Sequence, residues 1–196
     1  MSASHRPLVT ARIADHIALV SLLLKDESYL AAVSSAAAAL AAALRAGHKV
    51  LFFGNGGSAA DAQHLAAELT GRFLLERRSL PGLALSTNTS AVTAVGNDYG
   101  YDEVFARPLS GIGSAGDIAF GLSTSGNSAN VLRAIEVAKE KKMVTVGLSG
   151  RAGTLASIAD HAICIPSDCI PRIQEAHILT GHILCEIIER ELFESA

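Results

Sequence analysis

Apolar runs typical of strands alternate with helical patterns along most of this chain. The runs cover 48–53, 82–86, 117–121, 143–148 and 161–165, and helices are predicted at 58–71, 89–96, 102–109, 128–141, 152–158 and 172–194. Strands that alternate with helices in this way are typical of a parallel sheet with helices packed on it. The alternation therefore predicts a doubly wound α/β fold.

We interpret the whole chain, 1–196, as one domain, with a helical leader at 1–46 and an α/β core with a C-terminal helix at 47–196. Its 196 residues, 49% hydrophobic and 5% aromatic with no Trp, suffice for one aliphatic core, and no linker-like break in composition occurs. The alanine-rich stretch from Tyr29 to Leu44 is short for a membrane span and is interrupted by serines. We interpret it as a buried helix and expect the leader to support self-association.

Charge and cysteine usage argue against several classes of partner. The net charge of −3 and the isoelectric point near 6.1 provide no basic field, so no nucleic-acid partner is expected, and no membrane partner is expected either. The three cysteines, Cys164, Cys169 and Cys185, lack metal-motif spacing, and the amino end does not resemble a signal peptide. We therefore expect a cytoplasmic protein.

A glycine-rich turn, GNGG at 54–57, follows the first strand and leads into a helix. Its glycines permit tight backbone geometry, and the new helix offers unpaired N–H groups to a ligand. At about 100° per residue, Asp61, His64 and Glu68 fall within one arc of that helix. A His and a Glu four residues apart also occur on ordinary solvated faces, but this pair lies near the end of a strand, where open α/β sheets bind their ligands.

A second segment, RIQEAHILTGHI at 172–183, supplies Gln174 and His182. These residues lie about 80° apart by helical phase, so they share a broad face of the last helix. Together with His64 and Glu68 they form a candidate active site.

Hydroxyl side chains crowd the start of another helix. The segment STSGNS at 123–128 follows a strand and contains four serines and threonines. Hydroxyls, backbone N–H groups and the positive end of a helix all favour a bound phosphate. The alternative is ordinary N-capping by Ser128, which is worth about 1 kcal/mol, but one cap does not account for four hydroxyls. The segment is therefore predicted to bind phosphate.

Four segments, in order, resemble those of the sugar isomerase (SIS) domain family and, within it, the phosphoheptose isomerases. They are GNGGSAADAQHLAAELTGRF, AVGNDYGYDEVFARPL, STSGNSANVLRA and RIQEAHILTGHI. The resemblance implies a five-stranded parallel, flavodoxin-like sheet, a homotetramer with a helical core, and sites between subunits. It implies conversion of sedoheptulose 7-phosphate to D-glycero-D-manno-heptose 7-phosphate, the entry to bacterial heptose for surface polysaccharide such as lipopolysaccharide or capsule.

The resemblance also implies roles for individual residues. An enediol route needs a base at carbon and an acid at oxygen, for which we assign Glu68 and His182. The implied zinc ligands, for one zinc per subunit, are His64, Glu68, Gln174 and His182, although an amide is a poor zinc ligand. The implied substrate-binding residues are Asn55, Gly56, Gly57, Asp61, Glu68, Asn97, Asp98, Ser123, Thr124, Ser125, Ser128 and Gln174.

Several of these assignments have alternatives. Asn97 and Asp98 are also compatible with a simple turn, Asp61 with a local cap or pair, and Arg72 with either phosphate binding or a surface charge. Ile170 stands where the family's usual pattern has a hydroxyl, which puts substrate contacts of the 167–171 loop in doubt.

Two other functions remain open. One is a non-catalytic SIS regulator that binds the replication initiator; such regulators lack the acidic residue and the late histidine that Glu68 and His182 supply. The other is an isomerase of another phosphosugar, because phosphate loops do not identify the carbon chain.

Overall fold

Five parallel strands form one sheet in the computed structural model, which describes residues 4–151 and 153–194. The strand order is β2-β1-β3-β4-β5, and every neighbouring pair is parallel. The strands are β1 Val50–Gly54, β2 Gly82–Ala84, β3 Ile118–Ser123, β4 Val144–Ser149 and β5 His161–Cys164. This arrangement confirms the predicted doubly wound α/β fold.

Eight helices accompany the sheet in the described residues. They are α1 Arg6–Leu23, α2 Glu27–Arg45, α3 Gly57–Thr70, α4 Thr89–Tyr99, α5 Ala106–Ile112, α6 Ala129–Glu140, α7 Thr154–Ile158 and α8 Ile170–Phe193. Side chains of β1 alternate between the two faces, as the strand period of two requires. Phe52 belongs to the core under α2, α3 and α8, while Leu51 and Phe53 belong to the core under α5, α6 and α7. Both faces of the sheet are therefore buried.

Three predicted elements differ from the structure for local reasons. The predicted helix at 102–109 is instead a 3₁₀ turn, Tyr101–Glu103, followed by α5, because Pro108 lacks an N–H and fits only the first turn of a helix. The strand predicted at 82–86 ends at Ala84, whose carbonyl accepts a hydrogen bond from the Thr87 hydroxyl at 2.8 Å. The helix predicted at 152–158 begins at Thr154, and residue 152 lies outside the described residues.

The N-terminal helices differ in burial. Asp26 caps α2 by accepting hydrogen bonds from the backbone N–H groups of Ser28 and Tyr29. Among the described helices, only α2 is long and apolar enough to cross a bilayer, but it packs in the core against α8, where the Tyr29 hydroxyl lies 2.8 Å from that of Thr180. By contrast, α1 buries only Leu19 and Leu23 and exposes a larger set of apolar side chains: Leu8, Val9, Ile13, Ile17 and Leu22.

A buried ion pair ties the segment after α3 to α8. The side chains of Arg77 and Glu189 are each 1% exposed, and Arg77 Nε lies 2.9 Å from Glu189 Oε1. Glu189 also accepts hydrogen bonds from the backbone N–H groups of Phe73, Leu74 and Leu75, each at 2.8 Å. Burial favours the neutral carboxyl, but these donors and the guanidinium outweigh it and hold the pKa of Glu189 below its usual value. The charge is therefore fully partnered inside the protein.

We expect Glu189→Gln to lower the free energy of unfolding by about 3–5 kcal/mol, because it leaves the buried Arg77 cation without a counter-charge. Chemical denaturation at pH 7 and one fixed protein concentration measures this. The matched control is Glu186→Gln, which breaks an exposed pair with Arg190 on the same helix and should cost no more than about 1 kcal/mol. Equal losses in the two variants would contradict this account of the buried pair.

Candidate active site

The glycine-rich turn lies at the carboxyl end of β1, and Gly56 and Gly57 each meet a specific requirement there. Gly56 caps α3 with φ of +54°, a conformation that side chains other than glycine rarely adopt. At Gly57, a Cβ would occupy the place of the Gln174 side-chain amide. The turn therefore lets α8 deliver Gln174 directly to the first turn of α3.

Three predicted site residues converge between α3 and α8. His64 Nε2 lies 2.9 Å from His182 Nε2 and 3.1 Å from Glu68 Oε1. One donor atom from each residue lies within 4.8 Å of the others. His64 is exposed, while Glu68 and His182 are partly buried. Two segments more than a hundred residues apart thus place two imidazoles and a carboxylate around one point.

This cluster has the chemistry of a metal site as well as that of an acid–base pair. Two imidazole nitrogens and a carboxylate oxygen are donors that zinc accepts, so the residues fit the implied ion. Gln174 differs, since its amide packs against Gly57 and next to Asp61 at the start of α3. Its position therefore suits a ligand that extends from the cluster toward the glycine turn.

Asp61 lies half-buried beside this cluster. Burial raises the pKa of its carboxyl above the usual value, against the opposing effects of His64 and the Gln174 amide. Its Oδ2 atom is buried and has no hydrogen-bond partner in the described part of the chain. This oxygen therefore does not cap a helix, which was the alternative interpretation of Asp61.

The predicted phosphate segment folds into a tight group of hydroxyls between β3 and α6. Ser123 Oγ lies 2.9 Å from Ser128 Oγ and 3.3 Å from Ser125 Oγ. Ser128 occupies the N-cap position of α6, but its side chain makes no capping hydrogen bond. The capping alternative is therefore wrong for Ser128, whose hydroxyl is directed to the serine group instead.

The glycine turn is joined to the helix after the serine segment by an amide pair, of which the sequence predicted Asn55 but not Asn130. Asn55 Nδ2 donates to Asn130 Oδ1 at 2.8 Å, and Asn130 Nδ2 donates to Asn55 Oδ1 at 2.9 Å. The Tyr101 hydroxyl also donates to Asn55 Oδ1, at 3.2 Å. Asn130 is the second residue of α6, which follows the end of β3. A polar residue at this position was the signal in the sequence that would have marked it as a candidate site residue.

A cleft of about 330 Å³ lies beside the serine segment. Its wall includes Thr124 and Ser125 together with Arg151, Ser167, Asp168 and Ile170. The exposed Arg151 guanidinium donates to the Pro166 carbonyl at 2.9 Å and lines the same cleft as Thr124 and Ser125 of the predicted phosphate segment. Arg151 lies two residues after the end of β4, the neighbour of β3, and this position after a strand was the signal available in the sequence. The apolar Ile170 occupies the same wall.

Three other predicted residues lie outside these contacts. Asn97 and Asp98 belong to α4, which continues to Tyr99 and ends at Gly100 with φ of +92°, so the alternative of a simple turn is wrong. Both are exposed, and Asn97 donates to Asp98 at 2.8 Å. The Arg72 side chain lies 3.6 Å from Glu76 on the surface.

Known proteins resemble this chain over most of its length. A model of the SIS domain family matches residues 17–150. Phosphoheptose isomerase 2 of Campylobacter jejuni is 47% identical over 94% of this chain and 92% of that protein, and the phosphoheptose isomerase of Rhodospirillum rubrum is 57% identical over 82% and 86%. The solved structure of phosphoheptose isomerase GmhA from Neisseria gonorrhoeae superimposes with a TM-score of 0.89 at 41% identity, covering 95% of this chain and 99% of that one.

These matches confirm the predicted resemblance and the predicted enzyme class, an isomerase of phosphosugars. Family membership rests on the match of the SIS domain model, on sequence identity of about half over most of the chain, and on the close superposition with a solved phosphoheptose isomerase. The chain belongs to the phosphoheptose isomerases of the SIS domain family.

Proposed function

We propose that this isomerase converts the ketose sedoheptulose 7-phosphate into the aldose D-glycero-D-manno-heptose 7-phosphate through an enediol, in the cytoplasm, as the first step of bacterial heptose biosynthesis. The observation that carries the proposal is the convergence of Glu68 and His182 on one point beside the carboxyl end of the sheet. A non-catalytic regulator has no use for this pair, and the named relatives are phosphoheptose isomerases.

The proposed reaction moves protons without net oxidation. The Glu68 carboxylate removes a proton from C1 of the ketose and returns it to C2. His182 transfers the matching proton between the two oxygens, because an imidazole gives and takes protons near neutral pH. Glu68 lies on the partly buried face of α3 and His182 on that of α8, so the two groups approach a common substrate from different helices.

We assign the phosphate to the serine segment. Ser123, Thr124, Ser125 and Ser128 offer hydroxyl donors at the N-terminus of α6, whose unpaired N–H groups favour an anion. The adjacent cleft has room for the phosphate, and the Arg151 guanidinium, which lies 3.6 Å from Asp168 on the same wall, would contact it there. Hydroxyl and backbone N–H groups can donate strong hydrogen bonds to a phosphate dianion. Because these donors are uncharged, the site needs no buried Arg or Lys when no phosphate is bound.

The remaining predicted residues are assigned to the sugar chain between the Glu68–His182 pair and the serine segment. Asn55, Gly56 and Gly57 line the turn at the start of α3, and Asp61 presents a buried carboxylate oxygen that a sugar hydroxyl would satisfy. Gln174 lies across from them on α8. We assign Asn97 and Asp98 to the site of a neighbouring subunit, since within their own chain they contact each other on an exposed helix.

The cluster is proposed to hold one zinc ion per subunit. His64, Glu68 and His182 supply three donors, and Gln174 is the fourth residue of the proposed set. Zinc would act as a Lewis acid on the substrate carbonyl. Glu68 then has two uses, as a ligand and as a base.

We further propose a homotetramer with sites between subunits, in which residues 1–46 are the packing region of a single domain. The exposed apolar side chains of α1, among them Leu8, Ile13 and Ile17, support this proposal, since a second copy would remove them from water. Light scattering that shows only monomer at micromolar concentration would refute it.

Glu68→Gln is expected to lower turnover by about 10²–10⁴, because it removes the base while nearly keeping the volume. NMR detection of the aldose formed from sedoheptulose 7-phosphate measures turnover, and five-carbon ketose phosphates added in parallel test the substrate class. The matched control, Glu76→Gln, changes an exposed residue on the following loop and should leave turnover unchanged. Near-normal turnover of Glu68→Gln would dismiss the proposed base.

For Ser125→Ala we expect KM to rise roughly tenfold, since a hydrogen bond to a charged group is worth about 1.5–3 kcal/mol, while stability changes by less than about 1 kcal/mol. Steady-state kinetics and thermal unfolding measure the two effects. The control Ser157→Ala removes an exposed hydroxyl of α7 that binds the Thr154 carbonyl. An unchanged KM in Ser125→Ala would remove this serine from the phosphate site.

Zinc content provides an independent test of the metal assignment. We expect His64→Ala to bind zinc at least about tenfold more weakly than the unaltered protein. Removing a residue that only hydrogen-bonds to a metal ligand already weakens metal binding about tenfold or more, and removing a ligand itself should weaken it further. Competition with a chromophoric chelator measures this affinity. His48→Ala, which alters a histidine beside Asp117, is the control and should bind normally. Full turnover in protein stripped of metal would rule out catalytic zinc.

A further inference from the structure

We propose that Phe73 is a positioning residue for the His182 imidazole, and that the buried Arg77–Glu189 pair holds Phe73 in place for this purpose. This inference rests on the proposed role of His182 in the reaction. Phe73 lies in the irregular segment between α3 and β2, and it is not among the predicted site residues.

The contact between the two rings restricts the imidazole. The rings of Phe73 and His182 are stacked, with centroids 5.3 Å apart and planes inclined by 27°. His182 also meets His64 edge-on, with Nε2 atoms 2.9 Å apart. A histidine on a helix can turn about two side-chain torsions. With one face covered by Phe73, the nitrogen edge of His182 remains directed toward His64 and Glu68.

The backbone of Phe73 is fixed by the buried carboxylate. Its N–H donates to Glu189 Oε1 at 2.8 Å. Glu189 follows His182 by seven residues in α8, which places the two side chains on nearly the same helix face about 10 Å apart along the axis. The segment after α3 therefore runs along this face, anchored at Glu189, and the Phe73 ring extends back to His182.

The same ion pair also holds the end of α3. Arg77 Nη2 donates to the Glu68 carbonyl at 2.7 Å, and Nη1 donates to the carbonyls of Leu69 and Gly71 at 2.8 and 3.0 Å. One guanidinium thus fixes the backbone that carries the proposed base, while its carboxylate partner fixes the ring that covers the proposed acid. Neither charged group is open to solvent, so both act through these neighbours.

The test uses Phe73, since variants of the ion pair also lose stability. Phe73→Leu and Phe73→Met keep an apolar side chain but remove the flat ring, and we expect kcat to fall about tenfold or more with KM changed less than about threefold. Phe73→Tyr restores the ring and should return kcat to within about threefold of the original. Measurements use the full-length protein with its native metal content.

The control is Phe193→Leu. The Phe193 ring packs against the same buried cation, with its centroid 5.8 Å from Arg77 Cζ, but Phe193 follows His182 by eleven residues in α8, about 16 Å along the helix axis. This variant should lose a similar amount of stability and keep its kcat. If kcat of Phe73→Leu and Phe73→Met is unchanged, or falls equally in Phe193→Leu, or is not recovered in Phe73→Tyr, the inference is overturned.

His182→Asn separates this inference from the function on which it rests. Loss of turnover in His182→Asn with normal kcat in Phe73→Leu overturns the positioning role alone. Full turnover in His182→Asn overturns the proposed acid and, with it, the positioning of that acid.

Discussion

Burial of both faces of a parallel sheet is the constraint from which the site follows. Parallel strands need crossover connections, and those connections place helices on both faces and all the strand-to-helix loops at one edge. In the order β2-β1-β3-β4-β5, the chain leaves β1 toward one side and β3 toward the other. The crevice between the ends of β1 and β3 is the point where open α/β sheets bind ligands. Here the reciprocal amide bonds of Asn55 and Asn130 span that crevice.

The two ends of the proposed substrate site use different physical chemistry. At the phosphate end, hydroxyls and the N-terminus of α6 provide uncharged donors, of which Ser125 is exposed and Ser123 is buried. At the reacting end, Glu68 and two imidazoles lie close together, with His64 Nε2 2.9 Å from His182 Nε2 and 3.1 Å from Glu68 Oε1. Uncharged donors therefore suffice for the proposed phosphate site, and the ionisable groups are concentrated at the proposed reacting end.

Stability and function are linked through the segment that follows α3. The Arg77–Glu189 pair is buried, and both of its charged groups have further hydrogen bonds: Glu189 accepts from three backbone N–H groups and Arg77 donates to four backbone carbonyls. Such additional hydrogen bonds are the condition under which an internal ion pair is tolerated. Its hydrogen bonds fix the backbone at Glu68 and at Phe73, which in turn touches His182. The charged pair thus supports the geometry of the site without touching it.

The sequence by itself determined the class of fold and the chemistry-bearing residues, because strand and helix periods and the glycine and serine segments are local patterns. It predicted the alternation that became the five strands, and it singled out His64, Glu68 and His182. Boundaries that depend on one hydrogen bond or one proline, as at 82–86 and 102–109, were less well predicted. Only the tertiary structure decided which distant groups meet: the Gln174 amide against Gly57, Asn130 with Asn55, Arg151 beside the serines, and Phe73 on His182. The residues in each of these contacts are far apart along the chain, and helix and strand periodicity relates only residues that are close in sequence. Such contacts form only when the helices pack on the sheet, so sequence patterns do not predict them.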